Sequence, residues 1–301
     1  WISDVRPILE PVDPAAVLRE TLAGFGVGAG RSRIAVDERS WAQLTIAIRL
    51  LFPDAEIVNA NEIIAPMRMI KDDDELAAMQ RASDVADAVF EAVMPQLRPG
   101  VSELDISHEI DVQFIRHGAE YTSFETGVFF NGKRPDSAGQ TTRSGDRTLQ
   151  HGDSVMFDFG GVVDGYCSDF GRSAFVGEPP AEYLRAHEAV IKAQADAMAA
   201  MAAGRCTAAE ANRIARAVIA DAGFDDGFTH RLGHGIGVTV HEPPFLDGVD
   251  EIVLQDRMTF TVEPSIMYPN RFGNRIEDVV RVTPEGGVPL GRIERRLFVI
   301  D

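Results

Sequence analysis

Cysteine is nearly absent. Cys167 and Cys206 are the two in 301 residues, too few for a disulfide framework and in keeping with a reducing, cytoplasmic setting. Positive charge is scarce as well: 29 lysines and arginines stand against 47 acids, so the formal charge is −18 and the pI near 4.8. That balance argues against nucleic acid or an anionic membrane as a principal partner. No run of 18 apolar residues and no signal-peptide pattern occurs. A glycine-rich phosphate loop after a strand and a G-x-S-x-G elbow are both missing, which removes the usual signatures of phosphate cradling and serine hydrolysis. The chain begins at Trp1 rather than Met, and further residues are expected upstream. What is present is 45% hydrophobic and 25% charged, enough for a substantial core in one large or two ordinary domains.

Residues 1–66 alternate helix and strand patterns, with helices over 14–23 and 40–51 and strands over 33–36 and 56–58. This is a partial α/β domain, followed by a turn at Pro66 and a second domain over 67–301. There, Asp73 or Asp74 can cap a helix with apolar residues at Leu76, Met79, Ala82, Val85, Val89 and Val93. The chain then repeats itself. A helix over 75–97 leads to Gly100 and a second helix from Ser102; a helix over 181–203 leads to Gly204 and another from Thr207. Each pair precedes a strand-rich segment, 154–175 in the first half and 258–282 in the second.

The first segment, SVMFDFGGVVDGYCSDFGRSAF, reads as a hairpin turning at Asp164–Gly165, with Asp158 facing Asp169. An acid in an apolar strand is costly to desolvate, and a second one nearby raises the cost unless a cation joins them. Alone, the pair could be solvated on an open sheet. Glu263 in TFTVEP lies 105 residues after Asp158, and Glu277 in NRIEDVV completes four such acids at matching places in the two halves. His230, His234 and His241 cluster in THRLGHGIGVTVHEPP, where Gly233, Gly235 and Gly237 let the backbone approach a bound group and VTV reads as a strand leading to His241. His108, His117, His151 and His187 read as helix-surface or loop residues. Four acids with an imidazole suit Mn²⁺, Co²⁺, Fe²⁺ or Zn²⁺, two ions can be held, and hydrolysis is the natural reaction class.

DFGGVVDGYCSDFGR, HRLGHGIGVTVHEPP, FTVEPSIMY and NRIEDVVRVTPEG resemble the successive motifs of the M24 metallopeptidases, whose pita-bread fold is shared by methionine aminopeptidase, Xaa-Pro aminopeptidase, prolidase and creatinase. The likeness is greatest to the Xaa-Pro branch and spans 65–301. It implies an α+β catalytic domain with an internal pseudo-two-fold repeat, and it makes residues 1–66 the second half of an N-terminal domain. It implies two divalent metal ions, manganese first among them, on Asp158, Asp169, His234, Glu263 and Glu277. Glu263 would also shuttle protons, His241 would steady the substrate carbonyl or tetrahedral intermediate, and His230 and Arg275 would line the substrate site. The implied substrate is a small peptide cut before proline, and the implied assembly a homodimer. Three positions depart from the pattern. No histidine stands between His117 and His151, where peptidase relatives carry one about seventeen residues before the first aspartate. Gly171 replaces a frequent threonine, and Ser265 replaces glycine after Glu263–Pro264. The missing histidine keeps open a hydrolase or lyase of this fold acting on a non-peptide small molecule, or a non-catalytic binding member.

Overall fold

The computed structural model describes residues 12–28, 31–133 and 143–301, together with positions 3, 5 and 7, and the chain falls into two units, Trp1–Met67 and Arg68–Asp301. In the first unit the Asp13 carboxylate accepts from the Ala15 N–H and starts α1 (Pro14–Gly24). Then come β1 (Arg33–Val36), α2 (Ala42–Leu51), β2 (Glu56–Asn59) and α3 (Asn61–Met69). The two strands pair in parallel from Arg33↔Glu56 to Val36↔Asn59, over a small core of Ile34, Ile48, Phe52 and Ala55. Pro66 does not make the expected turn. It lies inside α3, whose first turn is already closed by the Ala60 carbonyl accepting from Ile63 and Ile64, so one missing N–H is tolerated.

The second unit opens with α4 (Asp73–Val93). Its cap is Asp72, one residue before the expected position, in a reciprocal capping box with Glu75. A tight turn over Met94–Gln96 containing Pro95 ends the helix. It is followed by α5 (Glu103–Arg116), β3 (Tyr121–Thr122), β4 (Gly127–Asn131), β5 (Ser154–Asp158), β6 (Gly161–Val163), β7 (Tyr166–Cys167) and β8 (Ser173–Val176). The second half supplies α6 (Ala181–Ala200), α7 (Ala208–Asp221), β9 (Gly233–Gly235), β10 (Glu242–Leu246), β11 (Thr259–Val262), β12 (Ser265–Tyr268), β13 (Phe272–Arg275), β14 (Asp278–Val282), β15 (Gly287–Pro289) and β16 (Phe298–Ile300).

The internal repeat holds down to single hydrogen bonds. Ser102 and Thr207 cap α5 and α7 with the same capping box, to Asp105 and Glu210. The Gly100 N–H donates to the Leu149 carbonyl and the Gly204 N–H to that of Leu254, each at 2.8 Å. The largest sheet of the first half runs β16-β8-β5-β4 and that of the second β15-β14-β11-β9-β10, so β5 and β11 hold equivalent central places. Each half has its own core. Phe90, Phe114, Phe157, Phe159 and Phe170 pack in the first; Tyr183, Met201, Ile219, Phe260 and Val280 pack in the second. Each such buried side chain contributes about 1.5–3 kcal/mol. His187 belongs to that second core and not to the surface. It is 4% exposed on the inward face of α6, one turn after Tyr183, with Nδ1 3.1 Å from Asn274 Oδ1. Among the described residues no helix is long and apolar enough to cross a membrane.

Candidate metal centre

The hairpin turns at Asp164–Gly165, both with positive φ, as the dipeptide requires. The strands around that turn split between two sheets: β6 pairs with β7, while β5 pairs with β4 and β8. The aspartates are therefore not directly opposite. Phe159 and Phe170 exchange both backbone hydrogen bonds and stack their rings 5.0 Å apart on the core side. Residues alternate across a strand, so Asp158 and Asp169 leave together by the other face. The second half meets them there, because Gly171 and Glu277 exchange backbone hydrogen bonds of 3.3 and 2.9 Å. A Cβ at Gly171 would come within 2.8 Å of Glu277 Cβ and 2.9 Å of its Oε2, so the glycine leaves that space to the carboxylate.

Asp158, Asp169 and Glu277 each present an oxygen within 4.8 Å of the others, which is close enough to share an ion. Glu263 follows β11, and its Oε1 lies 3.5 Å from His234 Nε2; Asp169 Oδ2 lies 3.6 Å from the same nitrogen. All five side chains line one cleft of about 870 Å³, with His230, His241, Arg275, Phe129, Met156 and Met267 among its other walls. The glycines beside His234 serve the neighbouring strands and not a bound group. A Cβ at Gly233 would fall 1.9 Å from the Thr261 carbonyl, so only glycine lets β9 and β11 approach. VTV is a loop and not a strand. The Glu242 carboxylate accepts from the Thr239 N–H at 2.9 Å and curls the chain before β10 begins. His241 stands at the end of that loop, exposed, its ring 4.3 Å from that of His234.

The electrostatics identify what the cluster needs. Arg275 is the cation placed among the acids: it bonds Asp158, lies 3.6 Å from Glu263 and 3.7 Å from Glu277, and donates to Ser265 Oγ at 2.9 Å. One guanidinium faces four carboxylates. Burial raises Asp169 and Glu277 well above the usual carboxylate range, with neighbouring acids adding to the rise. Burial likewise pushes Glu263 up to about 7, although Arg275 draws it back. Arg275 holds its proton more tightly than usual because the four acids outweigh its own burial.

Burial and His241 lower His234 to about 3, so its ring is neutral at pH 7. Its Nδ1 faces the Gly235 carbonyl at 3.1 Å, which places the hydrogen there and leaves Nε2 as a bare lone pair toward two carboxylates. Acceptors facing acceptors suit a cation, or a shared proton, between them. Asp169 Oδ1 and Glu277 Oε2 are buried with no hydrogen-bond partner, so the residues present fit divalent ions. Sequence reasoning missed Thr261, whose hydroxyl donates to Glu263 Oε1 at 3.2 Å and accepts from the His234 N–H. It also left Ser265 without a role; its hydroxyl donates to the Glu263 carbonyl and accepts from Arg275. The position about seventeen residues before Asp158, where the resemblance implies a histidine, falls within residues 134–142, outside those described.

The profile of metallopeptidase family M24 matches residues 77–284. The chain belongs to that family. It is 33% identical over 310 residues to the Xaa-Pro dipeptidase of Lactobacillus delbrueckii subsp. lactis, covering 100% of this chain and 81% of that protein. The Xaa-Pro dipeptidase of Pyrococcus horikoshii is 34% identical over 243 residues, 81% of this chain and 68% of its own length. Among solved structures, a prolidase from Thermococcus sibiricus superposes with a TM-score of 0.92 at 29% identity, covering 100% of this chain and 80% of that one. The X-Pro aminopeptidase of Thermotoga maritima gives 0.86 at 32%, with 96% and 79% covered. This M24 chain is thus a metallopeptidase of the Xaa-Pro branch, with the α+β pita-bread fold of those structures.

Proposed function

We propose that this M24 chain is a two-metal Xaa-Pro peptidase that hydrolyses the bond before proline in small peptides. Asp158, Asp169, His234, Glu263 and Glu277 would hold the ions, manganese first, with cobalt, zinc or iron as alternatives. When bound, the ions supply Lewis acidity and a water activated near neutral pH. The observation that carries this reading is the convergence of three buried carboxylates, the part-buried Asp158 and a neutral imidazole, with unpartnered oxygens, in one cleft.

The chain's own groups then have distinct tasks. The proline nitrogen carries no hydrogen as an amide, so a proton must reach it as it leaves. Glu263, raised to about 7, takes a proton from water and hands it to that nitrogen. His241, beside His234, steadies the carbonyl oxygen that gains charge. His230 Nδ1 lies 2.6 Å from the Arg231 carbonyl and carries the hydrogen there, which leaves the buried Nε2 as an acceptor toward substrate. Arg275 lines the same wall. The two buried cysteines, neither in a disulfide, suit a cytoplasmic setting, and the likeness to prolidases suits a homodimer in which residues 1–66 are part of an N-terminal domain. Metal analysis of the purified protein, followed by Xaa-Pro dipeptide and tripeptide assays with Mn²⁺ or Co²⁺, tests the reading. Metal with turnover supports it; metal without turnover moves the substrate to a non-peptide small molecule; a protein that takes up no metal is a binding member.

A further inference from the structure

Gly235 pairs with Glu242 across β9 and β10, so residues 236–241 are a six-residue connection with His241 at its last position. Glu242 turns its carboxylate back over that connection. Oε1 accepts from the Thr239 N–H at 2.9 Å, from Thr239 Oγ1 at 3.0 Å and from Arg68 Nη2, and Arg68 Nη2 also donates to Thr239 Oγ1 at 2.9 Å. Oε2 faces Lys71 Nζ at 3.6 Å. The side chains of Glu242 and Lys71 are only 5% and 3% exposed. A buried ammonium and a buried carboxylate each carry a large desolvation cost, so they hold one arrangement and not many. The fit leaves no slack, since a Cβ at Gly237 would lie 3.0 Å from Glu242 Oε2 and 3.1 Å from Lys71 Cε. The near side of the connection is tied down separately: the Cys167 N–H donates to the Gly237 carbonyl at 2.8 Å, and Thr259 Oγ1 to that of Ile236 at 2.7 Å. None of these groups lines the cleft except through His241 and Val240.

We propose that Glu242, held by Lys71 and Arg68, is a positioning residue that fixes the connection carrying His241 against His234. This rests on the reading of His241 as the group that steadies the substrate carbonyl. Lys71 and Arg68 act through Glu242, and Glu242 acts through the backbone of Thr239 and His241. Outer groups of this kind change rate by about 10- to 100-fold when removed.

The experiment measures kcat, KM and metal content for Glu242→Gln, Lys71→Met and Lys71→Arg on a Xaa-Pro dipeptide, each alone and in a His241→Ala background. The expected result is a kcat about 10- to 100-fold lower in Glu242→Gln and Lys71→Met, with KM and metal content nearly unchanged and most of the rate restored in Lys71→Arg. In the His241→Ala background the further loss shrinks to about twofold or less, because the path through His241 is already cut. An equal loss in both backgrounds, as a general weakening of the fold would give, overturns the proposal. Where Lys71→Met does not fold, Glu242→Gln carries the test alone. A wild-type protein inert on Xaa-Pro substrates defeats the peptidase reading instead. The crystal structure of Glu242→Gln still decides the positioning: a His241 ring moved from its 4.3 Å contact with His234 supports it, and an unmoved ring sinks it.

Discussion

Two sets of buried acids in this chain are treated in opposite ways. Glu103 is fully buried and accepts from the Phe130 and Gly145 N–H groups at 2.7 and 2.8 Å and from the Arg147 guanidinium. Asp278, also fully buried, takes Arg172 at 2.8 Å, Gln194 at 2.9 Å and Arg295 at 3.0 Å. Every oxygen of these two carboxylates has a donor. A few residues away, Asp169, Glu263 and Glu277 face one another around a single arginine, and two of their oxygens have no donor. An acid that holds a fold together is surrounded by N–H groups; an acid kept for a cation is surrounded by acceptors. The contrast is sharpest at Glu277 and Asp278, adjacent in sequence and on opposite faces of β14's start.

Substitutions that exchange the two kinds of acid test this contrast. The largest effect is expected in Asp158→Asn or Glu277→Gln, which should lose at least one ion and reduce turnover by about a thousandfold or more. The melting temperature of the metal-free protein should hold or rise, because repulsion is relieved; unchanged metal stoichiometry would undo the ligand assignment. Next comes Arg172→Met. Its guanidinium has no exposure and donates to the Gly171 and Glu277 carbonyls as well as to Asp278, so it ties the two halves together. Denaturant unfolding should show a loss of about 3–5 kcal/mol, as when one partner of a buried pair is removed.

The third test uses pH. Glu263 rises from 4.5 to about 7, so the folded, metal-free protein keeps a proton that the unfolded chain releases in between. The resulting stability is present below about pH 4.5 and is lost as pH rises through 7. Thermal melts of the metal-free protein should therefore show the wild type falling relative to Glu263→Gln across that window, and parallel curves would remove Glu263 from the set. Metal affinity should move the other way and weaken as pH falls, since ions compete with protons. The smallest effect is expected for His241→Ala, a rate lower by about 10- to 100-fold with metal retained; loss of metal would mean that His241 and His234 exchange roles.

The acids, the histidine cluster and the repeat were legible because each breaks a local rule. Asp158 and Glu263 interrupt strands that otherwise read as buried, and the 105-residue offset is visible in capping residues as well as in acids. The Arg172–Asp278 pair was not legible, since its partners belong to different halves and each looks like an ordinary surface charge in its own neighbourhood. Lys71 and Glu242 were hidden for the same reason, 171 positions apart. VTV looked like a strand by composition and became a loop because the Glu242 side chain offers Thr239 hydrogen bonds that a ladder would otherwise supply. His187 looked exposed because the polar residues around it on α6 mask the inward stripe that it shares with Tyr183.

Local sequence by itself determined where helices start, where the hairpin turns and which residue types were available for chemistry, because caps, positive-φ turns and strand alternation are settled by neighbours a few positions apart. Only the tertiary structure decided which carboxylates lack donors, which arginine stands among them and which loop holds His241. Those outcomes depend on desolvation and on partners about a hundred or more residues distant, and neither is written in any short stretch of the chain.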